Sequence, residues 1–89
     1  MTVSEREELA QNLNTPKEIL VKLSRDEHWE VRRSVALNPN TPIETLVELS
    51  KDQDQDVREN VARNPKWIRL KELGTLDQVI AASKYLGIF

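Results

Sequence analysis

The side chains with the most chemical potential in this sequence are arginines and aspartates that recur at a fixed spacing. Arg32 follows Asp26 by six residues, and Arg58 follows Asp52 by the same distance. A guanidinium group is planar and can bind two acceptors at once, which suits a ladder of hydrogen bonds within and between repeated units. The alternative is a functional, regularly spaced basic row formed by Arg6, Arg32 and Arg58. We interpret the two aspartate–arginine pairs as a structural ladder.

Asparagines recur in a similar way, each at the start of a turn. Asn38 and Asn64 are both followed by proline, and Asn12 stands one interval earlier. A buried asparagine side chain carries both donors and acceptors, so it can pair with the backbone groups that a turn leaves unpaired. We therefore interpret Asn38 and Asn64 as structural.

Four residues are candidates for binding another protein: Trp29, Arg33, His28 and Arg63. Trp29 and His28 stand where the next unit has polar residues, so we expect His28 to be exposed and Trp29 to be at least partly exposed. Arg33 follows Trp29 by one helical turn, which allows a cation–π contact. Exposed tryptophan and arginine are enriched at binding hot spots. The alternative for Trp29 is that it only covers the neighbouring helix.

The sequence lacks the residues that several classes of functional site require. The sequence has no cysteine, one histidine and 2 glycines, so thiolate sites and phosphate-binding glycine loops are excluded. The acidic run 52–56 resembles the start of a calcium loop, but Val57 and Arg63 stand where that loop needs glycine and glutamate. We expect no catalytic residues, no metal and no cofactor. The net charge of −2 argues against a nucleic-acid or membrane partner.

An internal repeat of 26 residues positions all of these side chains. It relates Thr15-Pro16 to Thr41-Pro42, and the valines and alanine of one unit to those of the next. The residue pattern of each unit predicts two short helices. The first is expected to begin at a threonine N-cap with a capping box and to bury leucines. The second is expected to begin at Asp26 or Asp52, bury two valines and an alanine, and end at Asn-Pro.

The repeat divides the chain into parts of one domain, residues 1–89. Residues 3–13 form an N-terminal half-repeat, residues 14–39 and 40–65 are full repeats, and residues 66–89 form a C-terminal capping hairpin. Gly74 is expected to close the first helix of that hairpin and Gly87 the second. This arrangement predicts an all-α protein with about seven short helices and terminal caps.

The pattern Asn-Pro-Asn-Thr-Pro-x-x-x-Leu-x-x-Leu-Ser-x-Asp, followed by Val-Arg-x-x-Val-Ala-x-Asn-Pro, resembles the leucine-rich repeat variant family, a relative of HEAT-like repeats. The resemblance implies a right-handed α-α superhelix of paired helices, one of each pair often 3₁₀-like. It also implies an interaction module. Some members carry a cysteine-bound iron–sulfur cluster, which this sequence has no cysteines to hold.

These observations predict a small, non-catalytic, protein-binding or scaffold module in the cytoplasm, without a signal peptide or membrane span. Its binding surface should use exposed positions that differ between units: Lys22/Glu48, His28/Asp54, Trp29/Gln55, Arg33/Glu59, Ser34/Asn60 and Leu37/Arg63. The alternative is a nucleic-acid-binding module that uses a row of arginines at 32, 33, 58, 63 and 69. The apolar residues Tyr85, Leu86, Ile88 and Phe89 either cap the chain, as a monomer, or form a weak homodimer.

Overall fold

A computed structural model describes the backbone of residues 1–86 and the side chains of residues 1–82. It contains seven helices and, within that part, no strand, so the predicted all-α repeat architecture is confirmed. The helices are α1 (Val3–Gln11), α2 (Lys17–Leu23), α3 (Trp29–Leu37), α4 (Ile43–Leu49), α5 (Gln55–Arg63), α6 (Pro65–Glu72) and α7 (Leu76–Leu86).

The second helices of the units stack side by side, with α3 between α1 and α5. The first helices pack across them: α2 contacts α1 and α3, and α4 contacts α3 and α5. Both α2 and α4 are α-helical, where the resemblance suggested a 3₁₀-like form. The residues that recur with the repeat fill the core between the two sets of helices. The fully buried aliphatic ones include Leu20, Leu46, Val31, Val35, Val57 and Val61.

The threonines before α2 and α4 do not cap these helices, so the predicted threonine N-caps are wrong. The N-cap residues are Pro16 and Pro42, and neither has a side chain that bonds the helix. The hydroxyl of Thr15 donates to a carbonyl of the preceding helix, Leu9 O at 2.6 Å, and Thr41 does the same to Val35 O at 2.7 Å. Each hydroxyl therefore ties the turn to the helix before it.

The aspartates of the ladder lie in turns rather than at helix starts, which corrects a second prediction. The helices α3 and α5 begin three residues after Asp26 and Asp52. Asp26 Oδ1 accepts the backbone N–H of His28 at 2.9 Å, and Asp52 Oδ1 accepts that of Asp54 at 2.9 Å. An aspartate that bonds the backbone two residues ahead closes a turn in place of a backbone bond.

The C-terminal hairpin departs from the repeat. Asn64 ends α5 and caps α6, because its side chain accepts the backbone N–H of Lys66. The turn after α6 contains Gly74, with a φ of 73°, and α7 then packs on α6. Ala62 is exposed, whereas its counterpart Ala36 is fully buried; the expectation that the second helix of each repeat buries its alanine is therefore wrong for Ala62. The predictions for Gly87, Ile88, Phe89 and the side chains of Tyr85 and Leu86 lie outside the described residues.

Candidate functional site

The arginines of the ladder join successive units. Arg6 Nε lies 2.7 Å from Asp26 Oδ2, and Arg32 Nε lies 2.8 Å from Asp52 Oδ2. Each aspartate is 20 residues ahead of its arginine, in the next unit. Arg32 also donates from Nη1 to the backbone carbonyl of Asp26, in its own unit, at 2.8 Å. Each arginine thus holds its own turn through a carbonyl and the next turn through a carboxylate.

The second of these ion pairs, between Arg32 and Asp52, is largely buried and forms part of the packing between units. The side chains of Arg32 and Asp52 are only 12% and 10% exposed. The hydrogen bond to Asp52 raises the pKa of Arg32 above its ordinary value, so the guanidinium stays charged. Burial raises the pKa of Asp26, but hydrogen bonds from the His28 backbone and the Arg6 guanidinium outweigh it and leave that pKa below its ordinary value. Neither pair is free to bind a ligand.

The asparagines form a parallel relay along the stack. Asn38 Nδ2 donates to the carbonyls of Ala10 at 2.9 Å and Asn12 at 3.0 Å. Asn64 Nδ2 donates to those of Ala36 at 2.8 Å and Asn38 at 3.0 Å. In both, the amide oxygen accepts a backbone N–H two residues ahead. Each asparagine thus satisfies carbonyls at the end of the preceding unit's helix, where intrahelical donors have run out.

Trp29 and Arg33 meet on the surface of α3. The guanidinium carbon of Arg33 lies 5.0 Å from the centroid of the Trp29 ring, a cation–π distance. Trp29 is 37% exposed. The Arg33 guanidinium makes no ion pair with any described residue. The indole therefore holds the cation in place while leaving its hydrogen-bonding edge open.

A groove of about 460 Å³ begins at Arg33 and crosses the three stacked helices. Its apolar lining includes Leu13, which is 61% exposed, and Leu37, which is 45% exposed, together with Pro39. The amides of Gln11 and Asn60 and the guanidinium of Arg33 supply polar groups, and they come from α1, α5 and α3. The groove thus combines apolar side chains with a few convergent polar groups, the usual composition of a binding site.

The structure brings together only two of the four predicted binding residues. Trp29 and Arg33 adjoin the groove, whereas Arg63 lies exposed at the end of α5 and does not line it. His28 is half-buried, not exposed as expected, and it belongs to the ladder. Its Nδ1 lies 3.2 Å from Arg6 Nη2 and 3.4 Å from Asp26 Oδ1.

Three residues that line the groove were not singled out from the sequence: Gln11, Leu13 and Pro39. Leu13 and Pro39 stand at equivalent positions 26 residues apart, immediately after an asparagine. An apolar residue that recurs at a turn, where exposure is the rule, is the signal that could have identified them. Leu37, Ser34 and Asn60 belong to the positions that differ between units, and all three line the groove. The expectation that Ser34 is exposed is wrong: it is buried, and its hydroxyl donates to the carbonyl of Glu30 in its own helix.

Within the described part of the chain, no group of three histidine, aspartate or glutamate side chains is placed to hold a metal ion. Over the same residues, none of the helices combines the length and the apolar character needed to cross a bilayer.

Comparison with known proteins adds one match. The family model described as leucine rich repeat variant matches residues 29–54, which run from the start of α3 through α4 to the N-cap of α5. No curated protein and no solved structure matches the chain. Together with the paired helices and the ladder, the match confirms that residues 29–54 resemble a leucine rich repeat variant unit within a helical-repeat module.

Proposed function

We propose that this helical-repeat module binds another protein through the groove between Leu13, Leu37 and Arg33, and that it does so without catalysis. The observation that carries the proposal is the open groove, whose apolar floor is exposed in a chain that buries the leucines that recur with the repeat. The absence of cysteine from the sequence supports a cytoplasmic location, where disulfides rarely form.

The contacts of recurring side chains differ from those of side chains that vary between units, and this difference supports the groove as the binding surface. The residues that recur, such as Arg32 and Asn38, form hydrogen bonds with neighbouring units. The residues that differ between units, such as Arg33 and Leu37, remain available to a partner. A partner side chain that fills the groove would cover the two leucines, and an acidic group beside it would pair with Arg33. Arginine next to tryptophan is a combination typical of binding hot spots.

The nucleic-acid alternative is weaker because its arginine row is interrupted. Arg32 is bound to Asp52 and is largely buried, so it has no free face for a phosphate. Arg33 stands beside an apolar groove rather than in a continuous basic stripe. We therefore favour a protein partner.

The test has two stages, capture and affinity. The tagged protein is used to capture partners from its native source, and the recovered partner is then titrated by calorimetry against Leu37→Asp and Arg33→Ala. Lys22→Ala serves as the matched control, since Lys22 is exposed on α2, outside the groove. We expect the affinity to fall at least tenfold for Leu37→Asp and severalfold for Arg33→Ala, and to stay unchanged for the control. Equal binding by all four proteins would reject the groove, and so would an equal loss for Lys22→Ala.

A further inference from the structure

Among the described residues, no helix stacks on the outer faces of α1 and α5 in the way that these two helices stack on α3, although α6 packs against α5. The helix α3 is covered by α1 on one side and by α5 on the other. At one outer face of the stack, α5 presents Arg58, Ala62 and Arg63, all exposed; we call this the α5 end face. At the other, α1 presents Glu5, Glu8 and Asn12, also exposed; we call this the α1 end face.

The asparagine relay ends in a side-chain donor on α1 and, after α5, in two carbonyls that accept no side-chain amide among the described residues, although that of Asn64 accepts the backbone N–H of Ile68 at 3.0 Å. Asn12 Oδ1 accepts the backbone N–H of Asn14 at 2.8 Å, as Asn38 and Asn64 do with theirs, but its Nδ2 bonds no described residue. By the repeat, the carbonyls that this amide would reach are those of Ala62 and Asn64. The backbone of Asn64 has φ −67° and ψ 128°, close to the −70° and 122° of Asn38, so its carbonyl is oriented alike.

The arginine ladder also stops at the α5 end face. Arg58 Nη1 donates to the carbonyl of Asp52 at 2.5 Å, as Arg32 does to that of Asp26, so the guanidinium is already placed. Unlike Arg32, Arg58 has no carboxylate partner among the described residues. The residue 20 positions ahead, where the ladder needs an aspartate, is Gln78.

The α1 end face holds a carboxylate in the matching position. In the two complete turns, the ladder aspartate accepts the backbone N–H of residue 28 or 54 at 2.9 Å. The equivalent N–H, that of Thr2, is accepted by Glu5 Oε1 at 2.9 Å. Glu5 thus substitutes for the aspartate at the start of α1. Its hydrogen bonds to Thr2 hold the pKa of this carboxyl below its ordinary value, so the group is ionised at neutral pH.

If the repeat continued from one copy of the chain to the next, a third contact would become an ion pair. Between α1 and α3, Gln11 Nε2 donates to Ser34 Oγ at 3.4 Å. The repeat equivalent of Gln11 on the α5 end face is Arg63, and that of Ser34 on the α1 end face is Glu8. Stacking the two faces in the same geometry therefore brings opposite charges together.

We propose that copies of this chain associate head to tail, with the α1 end face of one copy stacked on the α5 end face of the next as α3 stacks on α1. The contacts would be Glu5 with Arg58, Glu8 with Arg63, and Asn12 with two backbone carbonyls. The helix α6 packs on α4 and α5 of its own copy. In the junction it would lie beside α1 of the other copy, at the place that α2 takes beside α3. Because a copy keeps one face free after binding, the association is open-ended. This surface is separate from the groove.

Sedimentation velocity of the full chain tests the proposal through charge reversal. Over a rising concentration series at low salt, we expect the weight-average mass of the wild type to increase beyond that of a monomer. Glu8→Arg alone and Arg63→Glu alone should each weaken association at least tenfold, because like charges then meet. Mixing the two variants in equal amounts should restore it, since every junction again pairs Arg with Glu. Glu18→Arg, an exposed reversal on α2, is the matched control and should behave as the wild type.

The mixing step also separates a binding defect from misfolding, since misfolded variants would not recover on mixing. Asn12→Ala should weaken association while lowering the stability of the monomer only slightly, because within one copy it removes only the local bond to Asn14. A wild type that stays monomeric up to millimolar concentration, association that neither reversal weakens, or a mixture that fails to recover would each overturn the proposal. These outcomes leave the groove proposal untouched, because none of the substituted residues lines it.

Discussion

A single residue, Asn38, connects three successive turns of this molecule. Its side-chain amide donates to two carbonyls of the unit before it, and its backbone carbonyl accepts from the side-chain amide of Asn64 in the unit after it. The side chain of Asn38 is 3% exposed, so water cannot replace these bonds. At the scale of the residue, stability therefore depends on recurrent polar groups as much as on the valines and leucines around them.

Replacing Asn38 with alanine should lower the free energy of unfolding by about 2–3 kcal/mol, because the buried carbonyl of Ala10 loses its donor and the part-buried carbonyl of Asn12 loses one of its two donors. Asn12→Ala provides the matched control. The same side chain there makes only a local bond to Asn14, so we expect a loss of less than about 1 kcal/mol. Urea unfolding of both variants, at concentrations low enough to keep the chain monomeric, measures the difference. Equal losses would show that the inter-unit bonds contribute nothing.

The sequence predicts which residues form the ladder but not how they pair. Asp26 and Arg32 stand six residues apart in the same unit, yet Arg32 binds only the backbone carbonyl of Asp26. Its carboxylate partner is Asp52 of the next unit. The reason is physical: the distance between stacked units decides which carboxylate is in reach, and that distance is absent from local spacing. For the same reason His28 appeared exposed in the sequence, although the stack places it beside Arg6.

At the scale of the element, helix ends are where sequence reasoning succeeds and fails. The existence and order of the seven helices follow from hydrophobic periodicity and the repeat. The cap residues do not: Thr15 and Thr41 fit a capping box in sequence, but their hydroxyls bond the preceding helix instead. Because α2 and α4 have their N-caps one residue later, at Pro16 and Pro42, the threonines lie outside the capping position. The groove was missed in part because Leu13 lies in a turn, outside any helical pattern.

The turn between α6 and α7 depends on one backbone conformation. Gly74 has a φ of 73°, and a Cβ built there meets no atom within 4 Å. Gly74→Ala should therefore cost about 1–2 kcal/mol of stability from backbone strain alone. Gly74→Asn should cost less, because asparagine tolerates the left-handed region. Thermal unfolding monitored by circular dichroism would test this ranking. A larger loss for asparagine than for alanine would indicate a steric cause instead.

At the scale of the whole molecule, the ladder makes stability depend on pH. The pKa of Asp26 is lowered in the folded state, so the unfolded chain binds protons more readily in acid. The stabilisation is complete above the ordinary value of 3.8 and is lost as the pH falls through the lower folded value. We expect the free energy of unfolding to decline as the pH falls below 3.8, and to decline less in Asp26→Asn. Urea titrations between pH 3 and pH 7 measure both slopes; parallel slopes would contradict the role of this carboxylate.

The position of α3 between α1 and α5 has a consequence for how the molecule opens. In a one-dimensional array, each element is held only by its immediate neighbours, so opening propagates inward from the edges. The backbone amides of α3 should then exchange with deuterium last, and those of α1 and α7 first. In an array this short, local unfolding at either edge leaves α3 as the last helix to open.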